Sequence, residues 1–382
     1  MMATIGLNMI VKDESKLILR CLKSCLPLVD YVLVSDTGST DGTQVIIRDF
    51  LEENRIEGLV LDHPWQDFAH NRNLALNALR AVPHVDYAFV IDADDQLAID
   101  SGFNVTEFKA GMDKDIYDVT VLHGSMTHQR PQLFKNTEGY RWVGVLHEFV
   151  EAPEVHTRVS VPQLKILASI EGARNQDKEK FQKDAAILEK AVKEEKNAYL
   201  FARYLFYLAQ SYRDAGDNEK ALRNYVECAK IHVWDQQTYI ALLEVIRCAT
   251  RLGGEFEFDV ALKSFQRARD LLPQRAEAYH AISFLCRALG KNKEGMDLAR
   301  PGIDLTVPDG LFAEPWIYDY GLRDEFAVNA YWAGAYKDCL ICCLKLLASA
   351  KTPADMIKRL ADNAMAAAHS LFDIEQPFIF SD

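Results

Sequence analysis

The stretch Tyr87-Ala88-Phe89-Val90-Ile91-Asp92-Ala93-Asp94-Asp95 decides the fold. Its first five residues are apolar, which is how a strand covered on both faces of a sheet reads. The next four carry three carboxylates. Like charges crowded into one turn repel each other, so the turn is a poor structural choice. Clustered hard oxygens suit Mg2+ or Mn2+, which bridge protein carboxylates to phosphate oxygens. Asp92 and Asp94 alternate around Ala93 and can reach toward one point. Read alone, such a triplet is more often just an acidic turn; its place after a sheet strand gives it weight.

Working outward, strands are expected over 5–11, 31–35, 58–61 and 87–91, with helices over 15–26, 41–53 and 67–81 between them. Such alternation predicts βαβ crossovers and a mostly parallel sheet. Ligands of these sheets sit beyond the C-terminal strand ends. The motifs Lys12-Asp13-Glu14, Asp36-Thr37-Gly38-Ser39 and Asp92-Ala93-Asp94 all fall there. Denser strands follow over 116–122, 132–134 and 159–167.

After Asp177 the pattern is helical. Leu205, Leu208, Ala209, Tyr212, Gly216, Ala221 and Tyr225 have the offsets of a tetratricopeptide-like hairpin. Ala261, Phe265, Ala268 and Pro273 repeat its second half. Further copies run over 279–299, turning at Gly290, and over 331–347. A single hairpin cannot bury its apolar face, so neighbours must stack. The chain therefore divides into an α/β domain, 1–172, and an all-α solenoid, 173–382. The concave face of the repeats either grips an acceptor or partner or merely thickens the core.

The 382 residues carry a net charge of −13. Residues 1–170 hold 15 Lys+Arg against 24 Asp+Glu, so the half with the phosphate-binding signature is the more acidic one. Bulk nonspecific nucleic-acid binding is therefore not expected, and a divalent cation would reconcile that half with a diphosphate. No apolar run is long enough to span a bilayer and the N-terminus has no secretion signal, so a cytoplasmic protein is expected. The Cys339–Cys342 spacing lacks a second pair or nearby histidine, so the eight cysteines are read as buried free thiols.

The turn Ser35-Asp36-Thr37-Gly38-Ser39-Thr40-Asp41-Gly42-Thr43 supplies tight backbone and N-cap oxygens. Capping leaves Asp36 unexplained; it could accept hydrogen bonds from a base or ribose. Five ordered segments now carry a resemblance. Residues 7–14, this turn, Phe68-Ala69-His70-Asn71-Arg72-Asn73, Ile91–Asp95 and Arg141-Trp142-Val143-Gly144-Val145-Leu146-His147-Glu148 resemble family 2 glycosyltransferases of the GT-A fold. The last of these, with Phe206–Asp214, is similar to a subgroup with C-terminal tetratricopeptide repeats.

That resemblance implies a Rossmann-like GT-A domain followed by a tetratricopeptide-like solenoid. It implies a metal-dependent inverting transferase that uses a nucleotide diphosphate sugar, a UDP-sugar foremost, with Mn2+ or Mg2+. Asp36 would contact the nucleoside, Asp92 the ribose, and Glu14 and Arg72 the base or diphosphate pocket. Asp94 and His147 would hold the metal. Glu148 would be the catalytic base, with Asp95 its competitor. Asp13 departs from the family's usual asparagine. Pro131 stands where a second basic residue is frequent; Arg130 is either the donor contact of that strand or an ordinary surface arginine. The acceptor is a glycan, a protein or a modified base. Rival readings are a repeat scaffold with an inactive nucleotide-binding half and a sugar nucleotidyltransferase; the latter lacks its glycine- and lysine-rich triphosphate loop near Lys12.

Overall fold

A computed structural model describes residues 2–124, 126–308 and 310–372. It divides into two compact units, Met1–Lys183 and Asp184–Asp382.

The first unit begins with β1 (Ile5–Val11), α1 (Ile18–Cys25), β2 (Tyr31–Asp36), α2 (Thr43–Asn54), β3 (Glu57–Asp62), α3 (Phe68–Arg80) and β4 (Tyr87–Val90). It continues through β5 (Gln96–Ile99), α4 (Val105–Ala110), β6 (Ile116–His123), β7 (Met126–Lys135), β8 (Arg141–Val143), β9 (Phe149–Glu151) and β10 (Arg158–Leu167). Eight strands form one sheet in the order β3-β2-β1-β4-β7-β6-β10-β5, and β8 pairs only with β9. The β3-β2-β1-β4 half is parallel throughout. In the other half β7 runs antiparallel to both its neighbours. The sheet is thus mixed but mostly parallel, a Rossmann-like α/β arrangement.

Both faces are covered. Ile5, Leu7, Met9 and Val11 pack with Ile18, Cys21, Leu22 and Cys25 of α1. Leu33, Ala88 and Val90 pack with Ala75, Leu76 and Leu79 of α3. Gly6 permits that second layer to approach, because a Cβ there would lie 2.8 Å from both Leu79 and Val85.

The helix expected from residue 15 starts at Ile18. The reason is tertiary: the amides of Asp13, Glu14 and Ser15 are taken by Ser39 Oγ, Thr43 Oγ1 and Asp41 Oδ2 at 2.8–2.9 Å. The short β5, β8 and β9 and the six-residue α4 were not expected, since segments this brief carry too little periodicity to register.

Helix α5 (Lys180–Glu194) spans the division. The second unit continues as α6 (Ala198–Asp214), α7 (Asn218–Ile231), α8 (Asp235–Leu252), α9 (Glu255–Leu271), α10 (Glu277–Ala288), α11 (Asn292–Ala299), α12 (Leu322–Trp332), α13 (Tyr336–Leu347) and α14 (Ile357–Phe372). The expected repeat residues Leu205, Leu208, Ala209, Tyr212, Ala221, Tyr225, Ala261, Phe265 and Ala268 are all buried. Edge-to-face pairs Phe206–Tyr225 and Phe265–Tyr279 join neighbouring helices. Hairpins α6–α7 and α10–α11 turn at Gly216 and Gly290, with φ of 87° and 71°. All eight cysteines are free and buried. Among the described residues no helix is long and apolar enough to cross a membrane.

Candidate functional site

Two loops at the C-terminal strand ends are fastened together first. Asp36 lies at the end of β2, 1% exposed. Its Oδ1 accepts the amides of Gly38 and Ser39, both at 2.8 Å, so this residue does close the turn that the sequence left to Asp41 and the hydroxyls. Burial opposes ionisation of Asp36, but those hydrogen bonds outweigh it and hold its pKa below the usual value. Its Oδ2 is buried without a hydrogen-bond partner. Asp41 ties the turn to the first loop, and hydrogen bonds from Thr43 and Ser15 overcome burial to bring its pKa down to about 2. Asp13 answers by accepting the amide of Thr40 at 2.7 Å, in a left-handed conformation with φ 54°.

The second layer of the site is a pair of ion pairs made by one arginine of α3. The guanidinium of Arg72, 8% exposed, donates through Nη2 to Asp92 Oδ1 at 2.7 Å and through Nε to Glu148 Oε1 at 2.6 Å. The Trp142 ring lies under it, 4.9 Å from centroid to Cζ. Asn73 fixes that tryptophan by pairing with both its backbone N and O, at 2.8 and 2.9 Å. Burial alone would raise Asp92, but the Arg72 charge reverses the sign and lowers it. Arg72 thus organises Asp92 and Glu148, with its hydrogen-bonding edge committed to them rather than turned outward.

Asp94 and Asp95 are different. Neither carboxylate is paired with a cationic side chain among the described residues; both are met by backbone amides, Gly172 donating to Asp94 Oδ2 at 3.1 Å and Ser169 to Asp95 Oδ1 at 2.9 Å. Burial and the charge of Asp92 push Asp94 up, and the same causes push Asp95 to about 7. Glu14 is raised by burial and by the charges of Asp94, Asp41 and Asp13, and its Oε1 accepts the Ala173 amide at 2.9 Å. Arg130, exposed on β7, is near enough that its charge is felt at Asp92 and Asp95. His147 is exposed, with φ 54°.

Among the described residues no three His, Cys, Asp or Glu side chains are arranged to hold a metal ion. Asp94 with His147 is therefore not a closed protein cage. Unpaired carboxylate oxygens whose ionisation is suppressed by their neighbours do suit a hard divalent cation. Mg2+-type ions are commonly held by one or two carboxylates, the remaining positions going to water and substrate phosphates.

Sequence reasoning missed Arg20, whose Nη2 donates to the Asp94 carbonyl at 2.8 Å, and the backbone of Ser169–Ala173. These residues are separated from their partners by 74–159 positions, and nothing local marks them.

Comparison with known proteins locates the resemblance. Residues 8–157 match the model of the Glycosyl transferase family 2. A TPR repeat-containing protein of Synechococcus elongatus is 32% identical over 176 residues, 44% of this chain and 40% of that protein. The chain thus spans well under half the length of this curated relative. The structure of S. aureus TarS 1-349 in complex with UDP-GlcNAc aligns over 71% of this chain and 92% of that one, at 11% identity and a TM-score of 0.35. TTC0263, a TPR protein of Thermus thermophilus, aligns over 48% of this chain and 90% of its own at 18% identity, with a TM-score of 0.33. The residues gathered above, from Glu14 to Glu148, fall inside the matched range: residues 8–157 match the Glycosyl transferase family 2 model, and a tetratricopeptide-like helical unit follows them in the same chain.

Proposed function

We propose that the first unit transfers a sugar from a nucleotide diphosphate donor, a UDP-sugar foremost, to an acceptor hydroxyl or thiol with inversion at the sugar carbon. The observation that carries this reading is the contrast within one turn: Asp92 is neutralised by Arg72, while Asp94 and Asp95 hold no cationic side chain. The buried, unpartnered Oδ2 of Asp36 offers an acceptor for a base or ribose donor group. Asp92 is oriented for the ribose by Arg72. Asp94 would be the protein ligand of a Mn2+ or Mg2+ ion brought with the diphosphate, and His147 would complete its site. Such an ion supplies positive charge to the leaving diphosphate.

The acceptor oxygen or sulfur forms its bond to the sugar carbon as the carbon–phosphate-oxygen bond breaks, the electron pair leaving on the diphosphate. Its proton passes to a carboxylate within reach. Glu148 is the proposed base: Oε1 is anchored by Arg72, which leaves Oε2 for the acceptor. Asp95 is the alternative. Arg130 balances the acidic cluster from the β7 side. The helical unit is proposed to hold the acceptor, be it glycan, protein or modified base.

The test is hydrolysis and transfer from a panel of nucleotide-sugars with and without Mn2+. Asp94→Asn should lower turnover at least about 100-fold, in the range found when a charge-stabilising group is removed. Unchanged turnover removes the metal assignment. Glu148→Gln that transfers as fast as the parent moves the base to Asp95.

A further inference from the structure

The segment after β10, Ser169–Asp177, has no apolar anchor of its own. Ile170 is 66% exposed, and Ala173, Arg174, Asn175 and Gln176 are exposed. It is nevertheless drawn across the site by three backbone amides in five residues. Ser169 donates to Asp95 Oδ1, Gly172 to Asp94 Oδ2 and Ala173 to Glu14 Oε1, at 2.9, 3.1 and 2.9 Å. Arg20 reinforces the centre by pairing with Glu171 at 2.6 Å while donating to the Asp94 carbonyl. At the far end Arg174 lies over the Phe68 ring, 4.6 Å from its centre. The whole segment lies outside the residues matched by the family model.

Gly172 has no room for a side chain. A Cβ there would lie 2.5 Å from Asp94 Oδ2 and 3.2 Å from Glu14 Oε1. Its φ of −56° is one that any residue adopts, so the glycine is required by the carboxylates and not by the backbone. A segment tied by three such hydrogen bonds, the outermost of them exposed, and with its side chains from Ala173 to Gln176 in solvent belongs to the low-stability end of a fold, where opening costs little.

We infer that Ser169–Arg174 is a strap latched shut by the acidic cluster itself, and that a divalent cation with a nucleoside diphosphate unlatches it by competing for the carboxylates of Asp94, Asp95 and Glu14. The inference rests on the donor-site reading proposed above. It makes the acidic turn both the ligand site and the catch of its own cover. An amide holds a carboxylate oxygen through one hydrogen bond, whereas a divalent ion on the same group carries two full charges and brings the diphosphate with it. The strap then gives way in proportion to occupancy, which couples donor entry to access.

Hydrogen–deuterium exchange of the full chain, followed on peptides covering 169–177, tests this. Exchange is read in buffer, with Mn2+ alone, and with Mn2+ plus UDP or GDP, and binding is measured in parallel by calorimetry. With Mn2+ and a nucleotide that binds, exchange in this segment should rise about 10-fold while that of β1 stays constant. Gly172→Ala should show the same rise with no ligand and should bind Mn2+ plus nucleotide more tightly, because its strap is already displaced. Unchanged or slower strap exchange when calorimetry records binding overturns the latch and leaves the donor site standing. Exchange of Gly172→Ala within twofold of the parent overturns it as well. Failure of parent and Gly172→Ala alike to bind any nucleotide with Mn2+ overturns the donor site, and the strap's role with it.

Discussion

Carboxylates are treated in opposite ways by the helical unit and by the Asp94–Asp95 end of the acidic turn in the first unit. In the helical unit Glu277, wholly buried, accepts from Arg275 Nε and Nη2, from Tyr318 and from the Glu314 amide, at 2.9–3.1 Å. Glu244 is clasped by Arg213 and Arg247, and Glu325 by Arg287. Each charge meets its opposite inside the fold. In the first unit Asp94 and Asp95 are left with backbone amides and with each other. A carboxylate answered by a cation is part of the architecture; one left with backbone amides alone, and raised by burial and by its like neighbours, is held ready for something else. Counting acidic residues does not separate these cases. Asking which cation answers each one does.

The contrast can be broken first at its structural end. Glu277→Gln leaves the Arg275 guanidinium buried without its countercharge, and should cost about 3–5 kcal/mol of stability, read as a lowered denaturation midpoint. Arg275→Met combined with Glu277→Leu removes both charges and should lose less than the single change. Equal losses would mean that packing, not charge pairing, dominates there.

At the other end, Asp94→Asn should lower transfer about 100-fold, equivalent to about 2.7 kcal/mol, while the melting temperature holds or rises. A large loss of stability would place Asp94 with Glu277 as an architectural group.

Asp95 sharpens the comparison through pH. Its folded pKa of about 7 lies above the ordinary carboxylate value, so the folded state pays to ionise it. That penalty is complete above pH 7 and vanishes as pH falls toward 4. Asp95→Asn should therefore stabilise the chain by on the order of 2 kcal/mol at pH 8 and by nothing near pH 4. Thermal melts across that range decide it, and a gain that does not shrink on acidification would contradict the assignment. The smallest effect is expected where both partners are solvated. Arg141→Ala, which loses the pair with Glu151 whose side chains are 69% and 45% exposed, should change stability by no more than about 0.5 kcal/mol.

Much of this could be read before any coordinates. β1 falls over 5–11, and α3 begins directly after its Asp67 cap, because a run of alternating apolar residues and a single cap oxygen are local signals. The repeat residues from Leu205 to Ala268 are buried for the same reason: their spacing alone puts them on one face. The acidic turn, the Asp36 loop and the Glu148 segment could be recognised as ordered motifs. Their division of labour could not, since it depends on which oxygen Arg72 reaches, 20 residues from Asp92 and 76 from Glu148.

By itself the sequence determined the alternation of strands and helices, the switch to helical hairpins, and the set of carboxylates brought to the sheet's C-terminal edge. Hydrophobic periodicity and strand-end position are properties of neighbours along the chain. Tertiary structure alone decided that Asp92 is paired while Asp94 and Asp95 are not, that Asp36 closes its own turn, and that the segment at Gly172 lies over the cluster. Those outcomes follow from contacts between residues up to 159 positions apart, whose hydrogen bonds exist only once the sheet has placed both ends of the chain at the same edge.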